Sequence, residues 1–176
     1  MWSIITTADN KWLFAASTGG HLKQLCLATQ DVVHDYGQIH DGPIACLETT
    51  RDSKWLITSS ADKHVKRISI VHREVDKDFG QVCDSTIMRM KVTDDGELLV
   101  GDYNGNLKLI SSRLGGLVKD FGKIHDNWIS GIVITGDQKF FFTSSYHGYL
   151  KQWNYEDNTL VKDHGKVTDC IFSLCL

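Results

Sequence analysis

The sequence of 176 residues has no long apolar run and only one proline. No apolar stretch approaches the ~18 residues that a membrane-spanning helix needs. The start, MWSIITTADNKW, has neither the charged leader nor the apolar core of a secretory signal. The proline, Pro43, opens a predicted strand, where the missing N–H does little harm. We therefore expect one domain, 1–176, with no membrane partner.

Closely spaced cysteines are also missing. The five cysteines are far apart, odd in number and never form a CxxC pair; they are Cys26, Cys46, Cys83, Cys170 and Cys175. This pattern argues against a disulfide framework and against a zinc site. A reduced thiol on a strand behaves as a small apolar side chain. The cysteines therefore predict a reducing, cytoplasmic location.

Positive charge and enzymatic motifs are scarce as well. The 19 Lys and Arg residues are outnumbered by 22 Asp and Glu, which gives a formal net charge of −3 and no basic footprint for nucleic acid. The sequence contains no GxSxG, P-loop or HExxH motif. We expect no nucleic-acid partner, no cofactor, no bound metal and no catalytic residues.

What the sequence does contain is a repeat. A glycine recurs in the loop before a predicted strand, at Gly37, Gly80, Gly122 and Gly165. A lysine recurs in a later strand, at Lys23, Lys66, Lys108 and Lys151. Both series advance in steps of 43, 42 and 43 residues, and an Asp turn at Asp9, Asp52, Asp95 and Asp137 keeps nearly the same step. A period of about 40–45 residues is typical of four-stranded propeller blades.

The repeated phrase resembles the WD-repeat family over essentially the whole chain. The fourth copy matches best, with His125 at the family's Gly-His position, Ser145 in the second strand and Trp153 at its Trp-Asp position. The second copy has Asp62 at the family's turn aspartate. The copies depart from the family where Leu25, Ile68 and Ile110 replace the tryptophan. The repeats are divergent, so the resemblance does not identify a partner.

The units read as strands because they are short, rich in Val, Ile, Thr and aromatic residues, and separated by Gly, Asp, Asn and Ser turns. We predict an all-β fold with four blades, over about residues 2–36, 43–79, 86–121 and 128–164. Residues 168–174 are predicted as the first strand of a fifth blade. Seventeen strands would leave the ring incomplete. A second copy, another protein or the remaining part of a propeller would then complete it; the alternative is that the chain stays as an open arc.

The resemblance also implies a structural network. In such units a loop histidine bonds to a turn aspartate and, through a Ser or Thr, to the strand tryptophan. The residues in the matching positions are His40, Ser60 and Asp62 in the second unit and His125, Ser145 and Trp153 in the fourth. A catalytic or metal-binding role for the two His-Asp pairs is the alternative, and the repeat spacing favours the structural role.

A partner-binding face is expected in the loops. Its predicted residues are Asp41, Asp84, Tyr103, Asp126, Trp128 and Tyr146. Exposed aromatic side chains of this kind anchor protein partners, although Trp128 could simply pack as the first residue of a strand. The aspartates, with Asp169, have two interpretations: bracing the turn before each first strand, or facing a basic ligand.

Taken together, these patterns predict a non-catalytic scaffold that presents propeller loops to partner proteins. One alternative is a propeller hydrolase or metal-dependent enzyme with a channel site. That alternative needs carboxylates or histidines on successive first strands, where the sequence offers only Glu48. A further alternative is an architectural subunit of a large assembly.

Overall fold

The computed structural model describes residues 3–174, which form sixteen β-strands and no helix. The strands are β1 Ser3–Thr6, β2 Trp12–Ala16, β3 His21–Cys26, β4 Val32–Gln38, β5 Ile44–Thr49, β6 Trp55–Ser60, β7 His64–Ser69, β8 Glu74–Gln81, β9 Ile87–Val92, β10 Glu97–Asp102, β11 Asn106–Ser111, β12 Leu117–Lys123, β13 Ile129–Ile134, β14 Phe140–Ser145, β15 Tyr149–Asn154 and β16 Leu160–Lys166. The predicted all-β fold is confirmed.

The strands form four antiparallel sheets, each made of four strands in chain order. We refer to these sheets as blades 1 to 4 and to their strands as first to fourth. The first strands of neighbouring blades contact each other in sequence, β1 with β5, β5 with β9 and β9 with β13. The blades therefore succeed one another along one inner line of strands.

The turn between the first and second strands is built from a repeated Thr-x-Asp box. In blade 1 the Thr7 hydroxyl donates to Asp9 Oδ1 at 2.6 Å, and the same oxygen accepts the Lys11 N–H at 3.1 Å. Asn10 takes a left-handed conformation, with φ of 55°. The same Thr–Asp bond recurs in the other blades, at Thr50–Asp52, Thr93–Asp95 and Thr135–Asp137. These turns satisfy their own polar groups, which explains the third marker of the repeat.

The recurring glycine lies in the fourth strand of each blade. Gly122, for example, has φ of +65°, and its N–H donates to Asp120 Oδ1 at 2.8 Å. The register of the strand pair shifts beside it, as expected for a bulge that needs a left-handed residue. The recurring lysines mostly pair with this aspartate: Lys23 with Asp35, Lys66 with Asp78 and Lys151 with Asp163, all within 3.3 Å.

Three apolar clusters hold neighbouring blades together. Between blades 1 and 2, Phe14 and Leu22 pack against Leu56 and Ile68, and all four side chains are fully buried. Equivalent clusters join blades 2 and 3, and blades 3 and 4. Each blade thus covers one face of the next, since a single sheet with two apolar faces cannot bury both alone.

A lysine on the fourth strand adds a polar clamp to this packing. Lys119 of blade 3 donates to the carbonyl of Asn158 in blade 4 at 2.8 Å and lies 4.9 Å from the centre of the Phe121 ring. Lys77 of blade 2 makes the same contact with the carbonyl of Leu114 in blade 3, at 2.9 Å. The clamp therefore repeats at two of the three blade junctions.

The predicted first strand of a fifth blade is wrong. Residues 168–174 form no strand, and their backbone is tied to blade 4 by one bond from the Ile171 N–H to the Tyr146 carbonyl at 3.2 Å. In every blade the first strand is paired with a second strand of its own sheet. Residues 168–174 pair with none of the strands that the structure describes.

The described part of the chain has no helix that is long and apolar enough to cross a membrane.

Candidate protein interface

The antiparallel order of each blade sorts its connections onto two edges. The loop that enters each first strand and the turn between the second and third strands lie at one edge, which we call the upper edge. The Thr-x-Asp turns lie at the opposite, lower edge. Every residue of the predicted structural network except Trp153 is in or next to an upper-edge segment, and all residues of the predicted partner-binding face are in such segments.

In blade 2 the predicted network forms around His40. Its Nδ1 lies 2.9 Å from Asp62 Oδ2 and its Nε2 lies 2.8 Å from Thr58 Oγ1. Burial lowers the pKa of His40, and the nearby Asp62 carboxylate partly opposes that shift. Ser60 does not contact the imidazole; its hydroxyl donates to the Gly42 carbonyl and accepts the Asp62 N–H, both at 3.1 Å. Thr58, which the sequence analysis missed, is therefore the hydroxyl partner of His40.

In blade 4 the network is also assembled, again with a different hydroxyl. Thr143 Oγ1 lies 3.0 Å from His125 Nε2 and accepts the indole N–H of Trp153 at 3.0 Å. Ser145 is buried but is not part of this chain of bonds. Burial lowers the pKa of His125 to about 4, with a smaller contribution from the Lys151 charge. A neutral, buried imidazole between a loop and a strand holds those elements together.

The loop aspartates do not brace the turns before the first strands. The side chains of Asp126 and Asp169 are fully exposed and only pair with Lys123 and Lys166, at 3.7 and 3.3 Å. Asp41 and Asp84 are exposed, and their carboxylates have no hydrogen-bond partner within residues 3–174. Other aspartates, two residues before the recurring glycines, brace the backbone instead: Asp35 accepts the N–H of Gly37, and Asp78 accepts the N–H of Gly80.

The three predicted aromatic residues come together at the upper edge. The ring centres of Tyr103 and Trp128 are 5.3 Å apart, and those of Trp128 and Tyr146 are 4.4 Å apart. Phe172, which the sequence analysis placed on a strand, extends the series with its ring centre 5.4 Å from that of Tyr146. We call these four residues the aromatic row.

The row is held in place by backbone contacts between loops. Tyr103 N–H donates to the carbonyl of Thr86 at 2.8 Å, and Tyr146 N–H donates to the carbonyl of Trp128 at 3.1 Å. Trp128 is half-buried and lies one residue before β13, so it packs against both tyrosines while part of its ring stays accessible. Tyr103 is 50% exposed and Phe172 is 66% exposed. The row therefore offers accessible apolar surface on an ordered frame.

A second candidate region is the groove along the first strands of blades 2 to 4. It has a volume of about 370 Å³, and its lining includes Glu48, Arg89 and Lys91. Lys91 pairs with Glu48 at 3.1 Å, and burial raises the pKa of that carboxyl. The guanidinium of Arg89 donates to the carbonyls of Ser130 and Phe172, both at 2.8 Å. These charges tie neighbouring segments together, with Arg89 fixing the segment that carries Phe172.

Residues 3–174 contain no group of three or more His, Cys, Asp or Glu side chains placed to hold a metal ion. The described cysteines, Cys26, Cys46, Cys83 and Cys170, are free. Burial raises the pKa of the Cys46 and Cys83 thiols to about 12, so both remain protonated in the core.

The geometry of blades 2 and 4 agrees with comparisons to known proteins. The family model described as "WD domain, G-beta repeat" matches residues 33–67 and 117–154. Two segments of the chain therefore match the WD-repeat family. The first match runs from the fourth strand of blade 1 into the third strand of blade 2. The second runs from the fourth strand of blade 3 to the third strand of blade 4. The WD repeats thus coincide with the two blades in which a buried histidine is bonded to a threonine.

Solved structures show the propeller architecture. One chain of the structure titled "Crystal Structure of Mitotic Checkpoint Complex" matches 97% of this chain with a TM-score of 0.87 at 14% identity. The match spans 52% of that chain, so our protein covers about half the length of this structural relative. At this identity the likeness establishes the fold alone. A search of curated protein sequences finds no match.

Proposed function

We propose that this protein is a non-catalytic scaffold that binds partner proteins through the loops of its upper edge. The observation that carries the proposal is the aromatic row, in which Tyr103, Trp128, Tyr146 and Phe172 form one chain of ring contacts on accessible surface. Aromatic side chains held on a rigid frame supply binding area at a small cost in conformational entropy. The lower edge offers no comparable series among the described residues.

The scaffold function is tested by comparing bound proteins after changing each edge. In the first variant Tyr103, Trp128 and Tyr146 are replaced by alanine. In a matched control, three exposed apolar residues of lower-edge turns are replaced by alanine: Leu27, Val71 and Leu114. We expect quantitative mass spectrometry of captured proteins to show loss of partners from the first variant only. Retention of every partner by the first variant would refute the proposed face.

A further part of the proposal concerns the two end blades. Phe142 and Leu150 of blade 4 occupy the positions that Phe14 and Leu22 hold in blade 1, yet they are only half-buried whereas their counterparts are fully buried. Such a face favours contact with another blade. A second copy, another subunit of a large assembly or the remaining part of a propeller would supply it.

Light scattering on the purified chain tests this second part of the proposal. We expect a molar mass above that of one 19.8 kDa chain, or a monomer that binds a dye specific for apolar surface. A monomer that binds no such dye would contradict the idea that the end faces take a partner.

We also propose a cytoplasmic location. Support comes from the four free cysteines among the described residues, one of which, Cys83, is buried. Fractionation with thiol labelling in cells tests the location, and recovery in a secreted fraction would refute it.

A further inference from the structure

The chemistry around the aromatic row restricts the partner that it can bind. Four upper-edge segments carry the row, residues 102–105, 123–128, 145–148 and 166–172, and a fifth, residues 82–86, bonds to the Tyr103 backbone. Together these segments contain four aspartates, two lysines and no arginine or glutamate. Three of the aspartates and both lysines are exposed, so the surface around the rings has one more carboxylate than it has ammonium groups.

Two of these carboxylates are open to a ligand. Asp84 is exposed, accepts no hydrogen bond within residues 3–174 and lies two residues from Thr86, whose carbonyl binds the Tyr103 N–H. Asp126 is fully exposed and lies two residues before Trp128. Its contact with Lys123 is 3.7 Å long and lies between two exposed side chains, so it is easily replaced.

The other two aspartates of these segments have closer partners. Asp102 is buried and accepts bonds from the N–H groups of Asn104 and Asn106, both at 2.9 Å. Asp169 pairs with Lys166 at 3.3 Å. Asp126 therefore lies in the loop that carries Trp128, and Asp84 lies in the loop whose Thr86 carbonyl binds the Tyr103 N–H; both are at the part of the row farthest from Phe172.

We propose that the Tyr103–Trp128 part of the row binds arginine side chains from a basic, extended segment of a partner protein. This inference rests on the proposed scaffold function and names its partner class. A guanidinium can stack flat on an indole or phenol ring while its N–H groups donate to a carboxylate. A lysine ammonium, a strongly hydrated point charge, cannot stack in this way. Tyr103 and Trp128 supply the ring faces, and Asp84 and Asp126 supply the acceptors.

Charge complementarity decides against the other occupants. An acidic segment would meet Asp84 and Asp126 with like charge. A purely apolar segment would leave those carboxylates beside it without their water or a new partner. An arginine-bearing segment satisfies the rings and the carboxylates together.

The test uses labelled twelve-residue peptides with a Gly-Ser background. One peptide has two arginines, and three others carry two citrullines, two lysines or two glutamates at the same positions. Citrulline keeps the shape of arginine without its charge. We expect saturable binding of the arginine peptide by fluorescence anisotropy, weaker binding of the lysine peptide and none of the others. NMR shifts should centre on the Trp128 indole and the Tyr103 backbone amide.

Two variants with the same change in net charge separate local from general electrostatics. Asp84→Asn combined with Asp126→Asn removes the proposed acceptors. Asp31→Asn combined with Glu156→Gln removes two exposed charges at the lower edge. Because exposed ion pairs contribute about 0.2–1 kcal/mol each, we expect the first variant to weaken arginine-peptide binding roughly fivefold and the control to change it less than twofold.

The outcomes distinguish this inference from the scaffold proposal. Citrulline or glutamate peptides that bind as well as arginine would overturn the inference, and so would equal effects of the two charge variants. If the alanine variant of the row loses its partners while no arginine peptide binds, the scaffold function stands and the partner is not basic. If the arginine peptide binds and shifts the row as expected, the partner class is supported whichever proteins are captured.

Discussion

The hydroxyl of Thr143 carries the most specific stability prediction. It lies between the indole N–H of Trp153 and Nε2 of His125, both at 3.0 Å, and the Thr143 side chain is fully buried. An indole N–H can only donate, so the threonine oxygen accepts it and its own hydrogen is free for the unprotonated imidazole nitrogen. Thr143→Val keeps the shape of the side chain and leaves both partners buried without a bond.

The expected cost follows from the two orphaned groups. Leaving a buried donor or acceptor unsatisfied costs about 1–3 kcal/mol, so Thr143→Val should lose about 2–4 kcal/mol of unfolding free energy. The matched control is Thr58→Val in blade 2. That hydroxyl contacts only the Nε2 of His40, at 2.8 Å, and the position of Trp153 is taken there by Ile68. The control should lose about half as much.

Urea unfolding followed by tryptophan fluorescence measures both values. A double-mutant cycle with Trp153→Phe isolates the indole bond, for which we expect a coupling of about 1 kcal/mol. Equal costs for the Thr143 and Thr58 variants, or a coupling of zero, would show that the threonine does not join the histidine to the tryptophan.

Three further predictions follow from single contacts. Because burial lowers the pKa of His125 to about 4, this imidazole takes up its proton more readily in the unfolded chain. The free energy of unfolding should therefore be highest above pH 6.5 and fall by about 3 kcal/mol as the pH drops to 4. In acid titrations, His125→Gln should flatten that slope. Gly105→Ala would place a Cβ 2.0 Å from the His125 carbonyl oxygen, at φ of +86°. The control Gly122→Ala meets open space at φ of +65° and should cost about 1 kcal/mol of unfolding free energy. Thermal unfolding should show a much larger loss of stability for Gly105→Ala. Lys119→Met removes the clamp between blades 3 and 4 and should cost about 1 kcal/mol in urea unfolding. The control is Lys162→Met at the equivalent position of blade 4, where the lysine has no partner among the described residues. This control should cost less than about 0.5 kcal/mol, the usual range for surface changes. Equal effects within either pair, or a slope that survives His125→Gln, would contradict the corresponding contact.

The fold was predictable because its signals are local and repeated. Turn residues with left-handed φ, such as Asn10 and Gly122, recur at one period, and the runs between them have the composition of buried strands. Each copy confirmed the others, so weak signals in one blade were supported by stronger ones elsewhere. All four blades were found in this way.

The choice of hydroxyl in the networks was not predictable from spacing. Thr143 and Ser145 point to the same side of β14, so alternation allows either. The register decides: Trp153 is paired with Phe141, which places Thr143 diagonally opposite the indole and Ser145 one step too far. The register depends on how two strands pair, so the sequence of one strand alone does not predict it.

The missing fifth strand has a related cause. Residues 168–174 have the composition of a first strand, but a strand exists only as part of a ladder, and the ladder partner must come from elsewhere in the chain. Instead, the carbonyl of Phe172 bonds to Arg89 and its ring packs on Tyr146. Phe172, which was predicted on a strand, is thus the exposed end of the aromatic row.

The two edges of the repeat use similar residues in opposite ways, and this contrast supports the proposed binding face. At the lower edge each turn aspartate is bonded to a threonine of its own turn, as Asp137 is to Thr135 at 2.7 Å. Such groups have little left to offer a ligand. At the upper edge Asp84 and Asp126 remain open beside Tyr103 and Trp128, although the backbone there is equally well ordered by loop-to-loop bonds. Since a binding surface needs unsatisfied groups on a rigid frame, we expect the proposed partner to gain most at the upper edge between blades 3 and 4.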